Sequence, residues 1–538
     1  MIAFAALTGP LPKAGVVVVA ALAAVVLLVS DRRARAVAML GALVLAPVLL
    51  LTDIWSSPQL NIVHRHPLEA VVGAAVVVAA LIGAAAVIAR RPWLVAPLAV
   101  FALPFRVPIS TGGGTANGGT SNLLVPLYFV IAAAALAWIH HAWRAPSEPP
   151  AEPGPPPVPP TGPQPLGPSQ STPARADGLV DWVVRLLALY VVLYGIQAWY
   201  SANFEQALQN MVFFYVPFAL LLCLLRGLDW DRRLIRDCMR VTVALALVFS
   251  VIGFFEYATK TIILSSKLVI ANDLHTYFTV NSVFLDPDIF GRYLALAIVL
   301  LAVVLIYDFP QRLQAGVAAV LAVLWACLFL TLSRSSLAAL LVGLAVLAAL
   351  RWKPGRALVI AVVVIALGAI AVAASPKTFG LNQGINGASS GRGGLVSGGL
   401  SLFGDRPVWG YGSGSFVTQY RRHNRLTATS LSASHTIPIT VAAEQGLIGE
   451  LAYLAFVICA MVCVVKGARG DPVRSAVAAA FIALVFHTLL YADFLEDPTT
   501  WVLLGIGLAL AAAPVAPGAG EAGVADVSRR RSAAVAGP

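Results

Sequence analysis

Ala14–Ser30 reads AGVVVVAALAAVVLLVS, and Asp31-Arg32-Arg33-Ala34-Arg35 follows at once. A secretory leader carries its positive charge ahead of the apolar run, so the charge behind this one marks a retained membrane span. Further apolar runs centre near Leu45, Val78, Val100, Ile131, Leu189, Pro217, Leu247, Val299, Val320, Leu344, Ile365, Leu454, Ala480 and Leu508. A bilayer core takes about 20 apolar residues per helix, so the chain is expected to cross it about 14–15 times. The run Trp93–Phe105 is the shortest and holds Pro97 and Pro104. The expected fold class is all-α, a polytopic transmembrane helical bundle.

Composition agrees. Of 538 residues, 59% are hydrophobic and 11% charged, with mean hydropathy +0.85. That balance excludes an ordinary soluble enzyme and a disordered chain. The net charge of +11, from 36 basic and 25 acidic residues, does not call for nucleic acid. It gathers in alternate loops: Arg32/Arg33/Arg35, Arg90/Arg91, Arg144, Arg226 to Arg240, Arg312, Arg351/Lys353/Arg356, Lys466/Arg469/Arg474 and Arg529 to Arg531. These fall on one side when every run crosses once. By the positive-inside rule that side is cytoplasmic, with the N-terminus outside and the C-terminus inside.

The five cysteines, Cys223, Cys238, Cys327, Cys459 and Cys463, lie in or beside apolar runs and give no disulfide framework. No CxxC or HExxH spacing points to a protein-built metal site. Ala145–Ala174 is packed with Pro and Gly, including Pro155-Pro156-Pro157-Val158-Pro159-Pro160, and is expected to be an extended cytoplasmic linker.

Two expected outer segments are long, Tyr257–Asp288 and Ser375 to Thr440. The second holds Lys377, Arg392, Arg406, Arg421, Arg422, His423, Arg425 and His435 against Asp405 alone before Glu444. Positive charge there runs against the topology bias. Either it meets anionic headgroups or it binds a phosphorylated ligand. Within it, Gly404-Asp405-Arg406-Pro407-Val408-Trp409-Gly410-Tyr411-Gly412-Ser413-Gly414-Ser415-Phe416 is glycine-dense. Such a segment is a turn-rich loop, or one whose amides approach an anion closely.

Two arginines stand at span ends. Arg334, in Thr331-Leu332-Ser333-Arg334-Ser335-Ser336, lies between apolar runs with almost no loop; it snorkels to the interface or faces a polar cavity. Arg292 follows Asp286-Pro287-Asp288-Ile289-Phe290-Gly291, where Asp286 or Asp288 is placed to pair with it.

The order of these segments resembles the O-antigen ligase and polymerase superfamily. The carriers are Asp286-Pro287-Asp288 at a helix start, Ser333-Arg334 at a span boundary, Gly391-Arg392, the run Pro407–Phe416 with Gly410, Gly412 and Gly414, and His435 followed by Glu444-Gln445-Gly446-Leu447-Ile448-Gly449. The likeness covers about Phe284 to Val465. One departure is His435-Thr436 where the family often has His-Asn, while His423-Asn424 occurs earlier in the loop. His435 is preferred for its distance from Glu444, with His423 as its rival.

The resemblance implies a GT-C-like, outward-facing glycosyltransferase of the cell envelope. It would take a glycan from a polyprenyl-diphosphate carrier and pass it to a hydroxyl on a glycan, lipid or protein acceptor, with no metal or other cofactor. A departing diphosphate needs cations, and without a metal arginines must supply them. Arg334 and Arg392 are the first candidates, then Arg292 and Arg406. His435 is the expected base or orienter, and Glu444 its partner or a cap of the following helix. Gly410, Gly412 and Gly414 form the expected substrate loop.

The expected organisation is then N-terminal transmembrane helices over 1–143, the Pro-rich linker over 144–178, and central transmembrane helices over 179–283. A catalytic region covers 284–466 with its outer loop at 375–440. C-terminal transmembrane helices over 467–516 and a disordered tail over 517–538 complete it. The expected partners are the lipid-linked donor, the acceptor and membrane lipids. A repeat-unit polymerase of the same superfamily is the nearest alternative. A transporter of an anionic solute would place ionisable residues near mid-membrane on broken helices, whereas here they crowd at span ends. A scaffold or sensor acting through the linker leaves the outer arginines without a role.

Overall fold

The computed structural model describes residues 9–54, 65–111, 119–144, 176–264, 266–274, 277–352, 355, 392–424, 436–491 and 494–513. Helices dominate: α1 (Pro10–Leu28), α2 (Arg32–Ile54), α3 (Pro67–Arg90), α4 (Val95–Ala102), α5 (Val125–Arg144), α6 (Ala176–Ala198), α7 (Phe204–Asn210) and α8 (Val216–Arg226). They continue with α9 (Arg232–Thr259), α10 (Ser266–Leu274), α11 (Pro287–Ile306), α12 (Gln311–Leu330), α13 (Arg334–Arg351), α14 (Arg392–Asp405), α15 (Phe416–Asn424), α16 (Ile437–Val465), α17 (Pro472–Leu490) and α18 (Pro498–Ala512). A π-turn, Met211–Tyr215, joins α7 to α8 into one crossing. Twelve helices among the described residues are long and apolar enough to cross a membrane. The runs near Val100 and Leu508 are the shorter helices α4 and α18, and the run near Ile365 lies outside the described residues. The protein is a multi-pass helical membrane bundle.

One segment adds to the all-helical expectation. Val107–Thr111 (β1) and Gly119–Leu123 (β2) pair antiparallel, with Val107 opposite Leu123 and Thr111 opposite Gly119. Val107, Ile109 and Thr111 in one strand and Thr120 in the other are residue types that favour strands.

Helix starts follow a local rule. α11, α17 and α18 each begin with Asp-Pro: Asp286, Asp471 and Asp497 accept amide hydrogen bonds from the first turn, and Pro takes the position whose amide would have no helical partner. Small residues then let the crossings close. A Cβ on Gly343 of α13 would stand 2.6 Å from Val299 of α11 and 3.0 Å from Ala483 of α17.

The bundle has two chemically different ends. At one, arginines satisfy carbonyls at helix C-termini: Arg351 Nε donates to Ile306 O at 3.2 Å, Arg469 Nη2 to Ala349 O at 3.1 Å and Arg474 Nη2 to Ala513 O at 2.9 Å. At the other end meet the starts of α11, α13, α16 and α18 and the end of α17. The Asp286-Pro287-Asp288 and Ser333-Arg334 segments and Thr436 lie there.

Candidate functional site

The centre of the second end is the meeting of α11 with α13. Gly291 makes it possible, because a Cβ there would lie 2.7 Å from Ser336 Oγ and 3.0 Å from Ser333 Cβ. Ser333 caps α13 by accepting the Ser336 amide at 3.2 Å. Its hydroxyl also reaches Asp288 Oδ1, which Ser335 Oγ approaches at 3.0 Å. Ser336 Oγ lies 3.2 Å from the Asp288 carbonyl and 3.2 Å from His487 Nε2. Asp286 accepts the Tyr491 hydroxyl at 2.9 Å. Burial, reinforced by the Asp288 charge, raises the Asp286 pKa from its ordinary value, against the Tyr491 hydroxyl and the amides of Asp288 and Ile289.

Immediately before α13, Leu332 adopts φ 52°, a left-handed conformation that a γ-branched side chain disfavours. The strained turn delivers Arg334 to the first position of α13, where its side chain is exposed. A cation at a helix N-terminus opposes the helix dipole, so helix stability does not account for it.

Arg292 corrects an expectation. Its partner is Asp497, at 2.7 Å from Nη2, and not Asp286 or Asp288. Asp288 is turned to the serines of α13 and Asp286 to Tyr491, while Asp497 caps α18 directly across the bundle. The two side chains are 3% and 6% exposed, so the pair is desolvated and Arg292 is not a solvent-facing cation. Arg292 Nη1 has no hydrogen-bond partner among the described residues.

The glycine-dense loop is fastened to a break in α16. Gly446 takes φ 64° inside that helix, and the loop backbone crosses there: Leu447 N donates to Pro407 O and Gly412 N to Glu444 O, both at 2.7 Å. Gly410, Gly412 and Gly414 all have positive φ, and Gly410 lies against the Glu444 backbone where no Cβ would fit. The buried Glu444 carboxylate accepts the amides of Gly414 at 2.7 Å and Phe416 at 2.9 Å. Five loop amides, of Gly410, Tyr411, Gly412, Gly414 and Phe416, are therefore bonded within the protein. The α6 backbone and the turn after it hold the other flank: Ser413 Oγ of the loop donates to Tyr194 O, Ser201 Oγ donates to Ser413 O and Tyr200 OH to Trp409 O.

The remaining expected site residues are placed as follows. Arg392 is the first residue of α14. Arg406 is exposed, its guanidinium 4.6 Å from the centre of the Tyr411 ring. His423 lies 3.5 Å from Asp405 and 3.3 Å from Ser401, tying α15 to α14. His435 and Lys377 lie outside the described residues; Thr436, which follows His435, begins the turn into α16 and donates to Leu489 O at 3.1 Å.

Sequence reasoning missed Asp497, His487 and Tyr491 as members of this cluster. Only Asp497 carried a local signal, the Asp-Pro it shares with Asp286-Pro287. Residues so far apart in the chain carry no mark of their pairing.

Fold and site define a polytopic membrane protein with a polar, arginine-bearing cluster at one end of its bundle. Residues 317–454 match the model of the O-antigen ligase family, a span holding Arg334, the glycine-dense loop and the start of α16. This is consistent with the O-antigen ligase superfamily of membrane enzymes, ligases and polymerases. No curated protein matches the chain.

Proposed function

We propose that the protein is a membrane glycosyltransferase. It moves a glycan from a polyprenyl-diphosphate carrier to an acceptor hydroxyl at the outer face of the cytoplasmic membrane. The basic helix-end loops would then face the cytoplasm, with the N-terminus outside. The observation that carries this reading is Arg334, exposed at the first position of α13 on a strained turn, at the end of the bundle remote from those loops.

As the glycosyl carbon–oxygen bond breaks, the electron pair stays with the leaving lipid diphosphate. A guanidinium at a helix N-terminus meets that charge with planar donors and with the dipole behind it. Arg392, also at a helix start, and Arg406, beside the glycine-dense loop, would serve the same anion. Arg292, desolvated by Asp497, would position the α11–α13 cluster. The acceptor oxygen gives its proton to a histidine while it bonds to the anomeric carbon. His435 is the assigned base, with His423 the alternative. Glu444 acts through the loop it holds, and Gly410, Gly412 and Gly414 let that loop sit over the break in α16.

The test is transfer by purified protein from a polyprenyl-diphosphate glycan, with both a non-repeat hydroxyl acceptor and a second lipid-linked repeat. The repeat acceptor is the polymerase reaction. His435→Ala should abolish transfer and His423→Ala reduce it little, with EDTA without effect. Transfer that survives His435→Ala but not His423→Ala moves the base; loss with EDTA removes the metal-free mechanism.

A further inference from the structure

Beside the α13 turn lies a cavity of about 560 Å³ that the proposed chemistry does not use. Tyr257 and Lys260 at the end of α9, Asp273 of α10, Tyr277 and Phe278 after it, and Leu332 line it. Its size suits a small-ligand site. Leu332 stands two residues before Arg334, so cavity and arginine share one turn.

The walls are held firmly. The buried Glu256 carboxylate accepts the amides of Ile263 at 3.3 Å, Asn281 at 3.1 Å and Ser282 at 2.8 Å, pinning both ends of the segment that carries α10. Asn272 Nδ2 donates to Thr279 O at 3.0 Å and its Oδ1 accepts the Thr279 amide at 3.0 Å. Two lining residues, Lys260 and Leu332, are in the left-handed region, at φ 56° and 52°. Backbone strain of this kind persists where the surroundings enforce it and gathers at ligand sites.

The lining chemistry is selective. Lys260 Nζ sits 3.6 Å from the centre of the Tyr257 ring and 4.9 Å from that of Phe278. One ammonium and one carboxylate, Asp273, balance the charge. A phosphate would meet the carboxylate and a quaternary ammonium would meet the lysine. A neutral ring with apolar C–H faces and hydroxyls on its edge fits both the aromatic walls and the paired donor and acceptor.

We infer that this cavity is a subsite for a sugar ring of the donor glycan, next to the diphosphate site at Arg334. The inference rests on the glycosyl-transfer reading for the neighbouring cluster, and binding can be measured apart from transfer. The probe is the free glycan released by mild acid from the lipid-linked pool of the producing cells. It is titrated against full-length protein in nanodiscs by saturation-transfer NMR. Wild type and Arg334→Ala should bind it alike. Asp273→Asn and Tyr277→Ala, each with an unchanged melting temperature, should weaken it about tenfold or more, the scale of one buried polar contact. No binding to wild type, binding unmoved by both variants, or loss of the signal on adding phosphatidylethanolamine would overturn the subsite. Variant-sensitive binding without any transfer would leave the subsite standing and remove the transferase reading.

Discussion

Arg292 of α11 and Asp497 at the start of α18 form an ion pair at 2.7 Å with both side chains almost wholly shielded. The pair ties two Asp-Pro helix starts together, and Asp497 holds the α18 cap with its other oxygen. Removing one member strands a buried charge, which costs about 3–5 kcal/mol, while removing both together costs far less than the sum. Thermal unfolding of Arg292→Leu, Asp497→Leu and the double variant should therefore show strong coupling. Additive losses would mean that the pair is not desolvated in the membrane.

Glu444 should prove structural before it proves chemical. Its carboxyl accepts the amides of Gly414 and Phe416, and a buried hydrogen bond of this kind is worth about 1 kcal/mol. Glu444→Gln turns an amide donor toward another donor, so limited proteolysis should cut the 406–416 loop faster than in wild type. Gly446→Ala, at φ 64° and against the Val408 backbone, should have the same effect. An uncut loop in both variants would contradict this placement.

Asp286 gives a pH signature. Its folded pKa lies above the unfolded value, so the ionised form is penalised at pH above the usual carboxylate range and the penalty is relieved as pH falls through that range. Asn keeps the cap and the Tyr491 hydrogen bond while removing the charge. Asp286→Asn should thus melt higher than wild type at pH 7.5, and the gain should shrink on acidification. A gain that grows toward low pH would reverse the assigned sign.

Much of this was legible in the chain. The apolar runs near Val25, Val299 and Ala480 are helices because uninterrupted apolar residues can satisfy their backbone in lipid only that way. Asp286-Pro287 announced a helix start through a local rule, and Leu332-Ser333-Arg334 a span boundary. Partnerships were not legible. Asp286, Asp288 and Asp497 are chemically alike, and tertiary packing alone decides which meets Arg292. Likewise nothing local in Glu444-Gln445-Gly446 says that the carboxylate faces back into a loop some thirty residues earlier; the hydrogen bond to Gly414 spans 30 positions.

The central claim is that guanidinium groups at this end of the bundle neutralise a leaving lipid diphosphate. Single-turnover transfer from a polyprenyl-diphosphate glycan tests it most directly, comparing wild type, Arg334→Ala, Arg334→Lys and Arg312→Ala at the start of α12. The account predicts a loss of about 100-fold or more for Arg334→Ala, the size of a lost oxyanion-type donor, partial recovery in Arg334→Lys and no change in Arg312→Ala. Wild-type turnover by Arg334→Ala would contradict it.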